Sequence, residues 1–194
     1  MMRLLKKRSR GFSLCFVLPL IFTIVCSAVA HADSGTATIA IRGGPLMESN
    51  ATNSVSLALK KKIQLASYTL PITVIDARGT GSGWKLSITS TRFKNPADKD
   101  VNKDMLPANA SHITSVSVSC SAHSTCTNPI NGISYPLVVP AGAKLPPAVK
   151  FFNAAVRTGL GNFGLTMVVS VTIPSHTEPG TYTSTIIVAI ANGP

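Results

Sequence analysis

The chain has 194 residues, 45 % hydrophobic and 13 % charged, with a formal net charge of +11. That length holds one ordinary domain with a core and leaves no room for a second. The charged share lies well below the usual ~25 %, and no basic stripe interleaves with aromatic residues, so a nucleic-acid-binding chain is not expected.

Residues 3–10 carry five basic side chains: Arg3, Lys6, Lys7, Arg8 and Arg10. An apolar run from Phe12 to Val29 follows and closes on Ala30-His31-Ala32. A basic start, an apolar middle and a small-x-small close predict a Sec signal peptide over residues 1–32. Cleavage is placed after Ala32, with Ala30 as the near alternative. The competing reading is an uncleaved membrane anchor, since the run is about 18 residues, borderline for a span. Pro19 interrupts the run, and Thr23-Ile24-Val25 before Cys26 does not match a lipoprotein box. The expected mature chain, residues 33–194, is secreted, has no membrane span and lies at the cell surface. It keeps 13 of the 18 basic side chains against all seven acidic ones, a charge of +6. Such a balance suits an anionic surface.

Thr36–Ile41 alternates small and β-branched residues and predicts a first strand, broken by Gly43-Gly44-Pro45. Residues 45–53 read as loop. Val55, Leu57 and Leu59 then alternate with Ser and Ala, a period-2 strand with one apolar face. Lys60-Lys61-Lys62 follows directly, either a solvated turn or a contact with an anionic polymer or lipid headgroups. In the next run Leu70, Ile72 and Val74 share a face, and Pro71 marks an edge. Gly79, Gly81 and Gly83 then predict a tight hairpin turn. The segment GTGSG looks like a phosphate-binding loop, but such loops lead into a helix. Here Trp84–Phe93 is a second strand, with Trp84, Leu86 and Ile88 on one face and Lys85, Ser87 and Thr89 on the other.

Residues 94–110 read as a charged loop. Asp98, Asp100 and Asp104 invite a calcium reading, but the expected glycine and distal glutamate are absent and Lys99 and Lys103 neutralise the cluster. His112–Ser119 is an alternating strand. Cys15 and Cys26 leave with the signal, so Cys120 and Cys126 are expected to form a disulfide in an oxidising compartment. Its loop is small, and its contribution is about 2 kcal/mol at most. A metal site built on the two cysteines and His123 lacks a fourth ligand. Tyr135–Val139 reads as a short strand and 141–150 as a Pro- and Ala-rich loop. Residues 151–162 lead as strand or loop into long strands over Phe163–Ile173 and Tyr182–Ile190. No convincing helix appears. Eight to ten strands separated by turn signals predict an all-β fold, a single antiparallel sandwich of the Ig-like, Greek-key type.

No enzyme is expected. His112, His123 and His176 each sit at a strand end or turn, and neither GxSxG nor HExxH occurs. Only Glu48 and Glu178 are glutamates, both in predicted loops. No cofactor or metal is expected.

Around Trp84-Lys85-Leu86 the chain resembles the WxL domain family of Gram-positive-type surface proteins. The lead-in Val74-Ile75-Asp76-Ala77-Arg78-Gly79 carries the resemblance further. So do Phe152-Asn153-Ala154-Ala155, Thr158-Gly159-Leu160-Gly161, and the ending from Pro174 through Gly180-Thr181-Tyr182. It spans roughly residues 36–194. The resemblance implies a protein held non-covalently at the cell wall, with peptidoglycan as ligand and other surface proteins as partners. Family members carry a second WxL near the C-terminus. Here that strand reads Ile187-Val188-Ala189-Ile190, without tryptophan.

The expected function is therefore non-catalytic association with peptidoglycan or an attached anionic polymer. The wall-binding candidates are Trp84, Lys85, Leu86, Lys60, Lys61 and Lys62. Two readings of Trp84 stand: a core residue aligned with Leu86 and Ile88, or a flat surface that stacks on sugar rings. The alternative function is a structural or adhesive subunit of a surface fibre or coat, assembled by strand pairing at open sheet edges.

Overall fold

In the computed structural model, residues 39–43, 51–60, 64–97 and 105–194 are described. The expected signal segment with Ala30 and Ala32, Lys61, Lys62, Glu48 and the Asp98–Asp100–Asp104 cluster lie outside them. Ten strands are seen among the described residues: β1 (Ile39–Gly43), β2 (Ala51–Leu59), β3 (Leu65–Asp76), β4 (Trp84–Thr91), β5 (Ser111–Cys120), β6 (Leu137–Val138), β7 (Ala141–Gly142), β8 (Val149–Ala154), β9 (Gly161–Thr172) and β10 (Gly180–Asn192). The protein is an all-β sandwich, and no helix occurs among the described residues.

One sheet runs β1-β3-β9-β5-β6 and the other β2-β10-β4-β7, with β8 also paired to β4. β8 takes the first half of the β4 edge and β7 its end, at Ser90 and Thr91. Pairing is antiparallel except for β1 on β3 and β7 on β4, which are parallel. The sandwich is thus mixed rather than wholly antiparallel.

Period-2 patterning builds the core because alternate side chains leave opposite faces of a strand. Tyr68, Leu70, Ile72 and Val74 of β3 point inward with Phe163, Leu165, Met167 and Val169 of β9. Facing them are Val55 and Leu57 of β2, Trp84, Leu86 and Ile88 of β4, and Ile186, Val188 and Ile190 of β10. In β5 a register shift between Ile113 and Ser115 moves the inward set from Ile113 to Val116 and Val118. Near the start of β10, the Tyr182 hydroxyl donates to the Glu178 carbonyl at 3.0 Å, a tyrosine corner of the kind seen in Ig-like sandwiches.

The glycine turn is not a hairpin. β3 pairs with β1 and β9, whereas β4 pairs with β10, β8 and β7. Gly79–Gly83 therefore carries the chain from one sheet to the other. Consecutive strands mostly alternate between sheets, and β5–β6 is the one sequential pair hydrogen-bonded to each other among the described strands. The expected loop over 141–150 contains β7 and the start of β8. Cys120 and Cys126 form a disulfide, and next to it Thr127 donates to the Leu160 carbonyl at 2.8 Å. The cystine loop is thereby tied to the segment before β9.

Candidate functional site

Three segments that are distant in sequence meet at Trp84. Its side chain is fully buried and stacks on Phe152 of β8, with centroids 5.7 Å apart and planes at 28°. The indole Nε1 donates to the Gly159 carbonyl at 2.9 Å. Asn192 of β10 lies opposite Trp84 across the ladder, and Ile190 lies opposite Leu86. Small residues are needed here. A Cβ on Gly159 would come 2.7 Å from the indole nitrogen, and one on Gly83 would come 2.4 Å from the Ala154 carbonyl oxygen. Both glycines also have positive φ, 72° in each case.

An ion pair braces the same corner. Arg78 forks onto Asp76: Nε donates to Oδ1 and Nη2 to Oδ2, each at 2.8 Å. Nη2 also reaches the Gly83 carbonyl at 2.8 Å, and Nη1 donates to Asn192 Oδ1. The Asp76 side chain is wholly buried, that of Arg78 9 % exposed. Burial alone raises the Asp76 pKa. Hydrogen bonds and charge from Arg78 outweigh it and hold the carboxyl below its ordinary value. From the backbone, Arg157 donates to the Gly81 carbonyl at 2.6 Å. The corner is a closed structural knot around a fully buried indole.

Four of the six wall-binding candidates, Lys60, Trp84, Lys85 and Leu86, lie among the described residues. Trp84 and Leu86 are both 0 % exposed and present no contact surface. Lys85 is half-buried on the outer side of β4, opposite Asn153 and Ala191. Lys60 is exposed just after Leu59, which lies opposite Gly180. Gly180 and Ala191 are near opposite ends of β10, about 35 Å apart along the strand. Lys60 and Lys85 therefore do not share one patch.

A polar groove of about 430 Å³ opens on the same sheet. It forms where β4 ends in a bulge. Thr185 N donates to Thr91 Oγ1 at 2.8 Å and Ser184 Oγ to the Thr91 carbonyl at 2.6 Å. The ladder resumes at Lys94, which exchanges backbone bonds with Thr183 at 2.8 and 2.9 Å. Arg92 and Lys94 line the groove, together with Ser54, Thr91, Thr183, Ser184 and Thr185. Arg92 is held by carbonyls: Nε donates to Leu106 O at 2.7 Å and Nη2 to Met105 O at 3.3 Å. These bonds occupy two of its five N–H donors and fix the guanidinium in place. No ion pair to Arg92 or Lys94 is found among the described residues. Arg92 is also a wall of a smaller cavity of about 260 Å³ lined by Pro107, Pro174 and His176.

Sequence reasoning missed Arg92 and Lys94. They follow β4 as Thr91-Arg92-Phe93-Lys94, in no period that marks a site, and only the bulge brings both to the groove. Among the described residues no three His, Cys, Asp or Glu side chains gather where a metal could sit. No helix among them is long and apolar enough to cross a membrane. Comparison with protein-family models found no match, and neither did comparison with curated proteins or with solved structures.

Proposed function

We propose that this chain is a non-catalytic module, exported and held non-covalently at the cell surface by an anionic polymer of the cell wall. The observation that carries the reading is the groove at the end of β4. It sets two cationic residues among Ser and Thr residues of three strands. A guanidinium already clamped by two carbonyls loses little side-chain freedom when it takes up a phosphate or carboxylate. The hydroxyls suit the alternating alcohols of a glycan or polyol. The signal-like N-terminus and the mature charge of +6 support the same reading. So does the WxL resemblance, although the tripeptide serves the core and the groove takes over the ligand.

A pull-down on purified cell walls tests this. The protein is incubated with intact walls and with walls stripped of anionic polymer, at about 50 mM and about 500 mM salt, where screening differs strongly. The expected result is retention on intact walls at low salt, loss at high salt and little retention on stripped walls. No retention at any salt rejects the reading. Equal retention on stripped walls moves the ligand to the peptidoglycan itself and away from charge.

A further inference from the structure

The sheet that carries the groove treats its two edges differently. At β8 the backbone is sealed: Asn153 N donates to Asn131 Oδ1 and Gly132 N to Asn153 Oδ1, both at 3.1 Å, and Ala155 N to Ile130 O at 3.0 Å. At the other edge, β2 pairs with β10 over nine residues in one unbroken register, from Ala51↔Val188 to Leu59↔Gly180. Among the described residues no strand pairs with the far side of β2. Residues 51–59 read ATNSVSLAL, with no charge, proline or glycine, and the register has no bulge. Charge, proline and bulge, three of the devices that blunt an edge strand, are absent along residues 51–59.

We propose that two copies of this chain join β2 to β2, antiparallel, to make one continuous sheet. A twofold axis perpendicular to the sheet keeps Val55 and Leu57 on the core side in both copies and Ser54, Ser56 and Ala58 on the outer side. Each strand supplies the N–H and C=O groups that the other lacks. Charge selects the orientation. Lys60 follows the end of β2 directly, and Lys61 and Lys62 come next in the sequence. Parallel apposition would set the two Lys60 residues side by side. Antiparallel apposition puts the two Lys60 residues at opposite ends of a seam about 30 Å long, well beyond the screening length. Such a contact is isologous and closes at two copies. The pairing does not depend on the polymer reading, but it would place two grooves on one sheet and raise avidity for a repeating ligand.

The test is sedimentation velocity on protein purified after expression of the full chain, as a dilution series up to about 100 µM, because dimer content follows concentration. The unmodified protein is expected to reach twice the chain mass. Ser56→Lys/Ala58→Lys and Ser56→Glu/Ala58→Glu are each expected to be monomers, and an equimolar mixture of the two is expected to restore the dimer. Monomer at every concentration, or dimers indifferent to both double variants, overturns the proposal. Hydrogen exchange on the unmodified protein needs no variant to fold: amides of residues 51–59 are expected to gain protection with concentration, and unchanged protection overturns the proposal.

Discussion

Replacing Trp84 with alanine is expected to cost about 3–5 kcal/mol of stability, the usual range for deleting a large buried aromatic. The whole domain is worth only about 5–15 kcal/mol, so much of the protein would unfold near body temperature. The loss has two parts. The indole leaves a void against Phe152, with which it stacks at 5.7 Å. Its Nε1 also abandons the Gly159 carbonyl, 2.9 Å away in a buried setting. Trp84→Phe separates these parts in degree, because it keeps a ring against Phe152, leaves a smaller void and loses the hydrogen bond. It should cost less than half as much. Urea unfolding measures both variants. Trp84 is the only tryptophan in the chain, so the unmodified protein and Trp84→Phe are compared by circular dichroism, with fluorescence confined to the former. A Trp84→Ala protein that melts like the parent but no longer binds walls would return the residue to the surface role that its burial denies.

Asp76→Asn is expected to cost about 3 kcal/mol at neutral pH, because it removes one partner of a buried ion pair and strands the other. Arg78 would retain the Gly83 carbonyl and Asn192 but lose its only charged acceptor among the described residues. The effect depends on pH with a definite sign. The Asp76 pKa is lower in the folded protein than its ordinary value. The unfolded chain thus binds the proton more readily, and acid favours unfolding. The contribution of Asp76 is complete above the unfolded carboxylate pKa of about 3.9 and is lost as pH falls through the folded value. Stability measured from pH 7 to pH 2 should therefore fall more steeply in the parent than in Asp76→Asn, and the two curves should converge in acid. Parallel curves would show that Arg78 does not hold the carboxylate in its charged form.

The long strands were legible because one face of each is buried and the other is not. Tyr68 to Val74, Phe163 to Val171 and Tyr182 to Ile190 alternate in burial. In β3 the side chains alternate in polarity with it, while in β9 and β10 Val168, Ser184 and Ile187 depart from that pattern. The same alternation pointed Trp84 inward with Leu86 and Ile88. What the alternation does not encode is the partner strand. Gly79, Gly81 and Gly83 supply positive φ for a sharp reversal, and that reversal serves a hairpin or a crossing between sheets equally well. β9 decides the outcome, because its twelve-residue pairing with β3 occupies the place that β4 would take in a hairpin. Two-residue pieces such as β7 are set by a neighbour's edge and leave no period to read. The groove was illegible for a related reason. Its hydroxyls come from β2, β4 and β10, strands whose outward Ser and Thr residues look alike in sequence. Its cations stand at a bulge that appears only once β4 and β10 have paired. The lysine run at residues 60–62 and Lys85 were conspicuous, but the sheet sets Lys60 and Lys85 at opposite ends.

The most direct test sets the groove against the tripeptide. Affinity for purified anionic wall polymer is measured at about 50 mM salt for the parent, Lys94→Glu and Lys85→Glu, where charge contacts are weakly screened. Lys94 lines the groove, and Lys85 stands on the same sheet six residues back along the chain from Thr91, about 20 Å away. Reversing a charge that holds an anion should weaken binding by about tenfold or more, the equivalent of one charge-assisted hydrogen bond. The result expected is that loss for Lys94→Glu, with Lys85→Glu within about twofold of the parent. Unchanged binding by Lys94→Glu, or an equal loss in both variants, would contradict the groove as the site where the polymer is held.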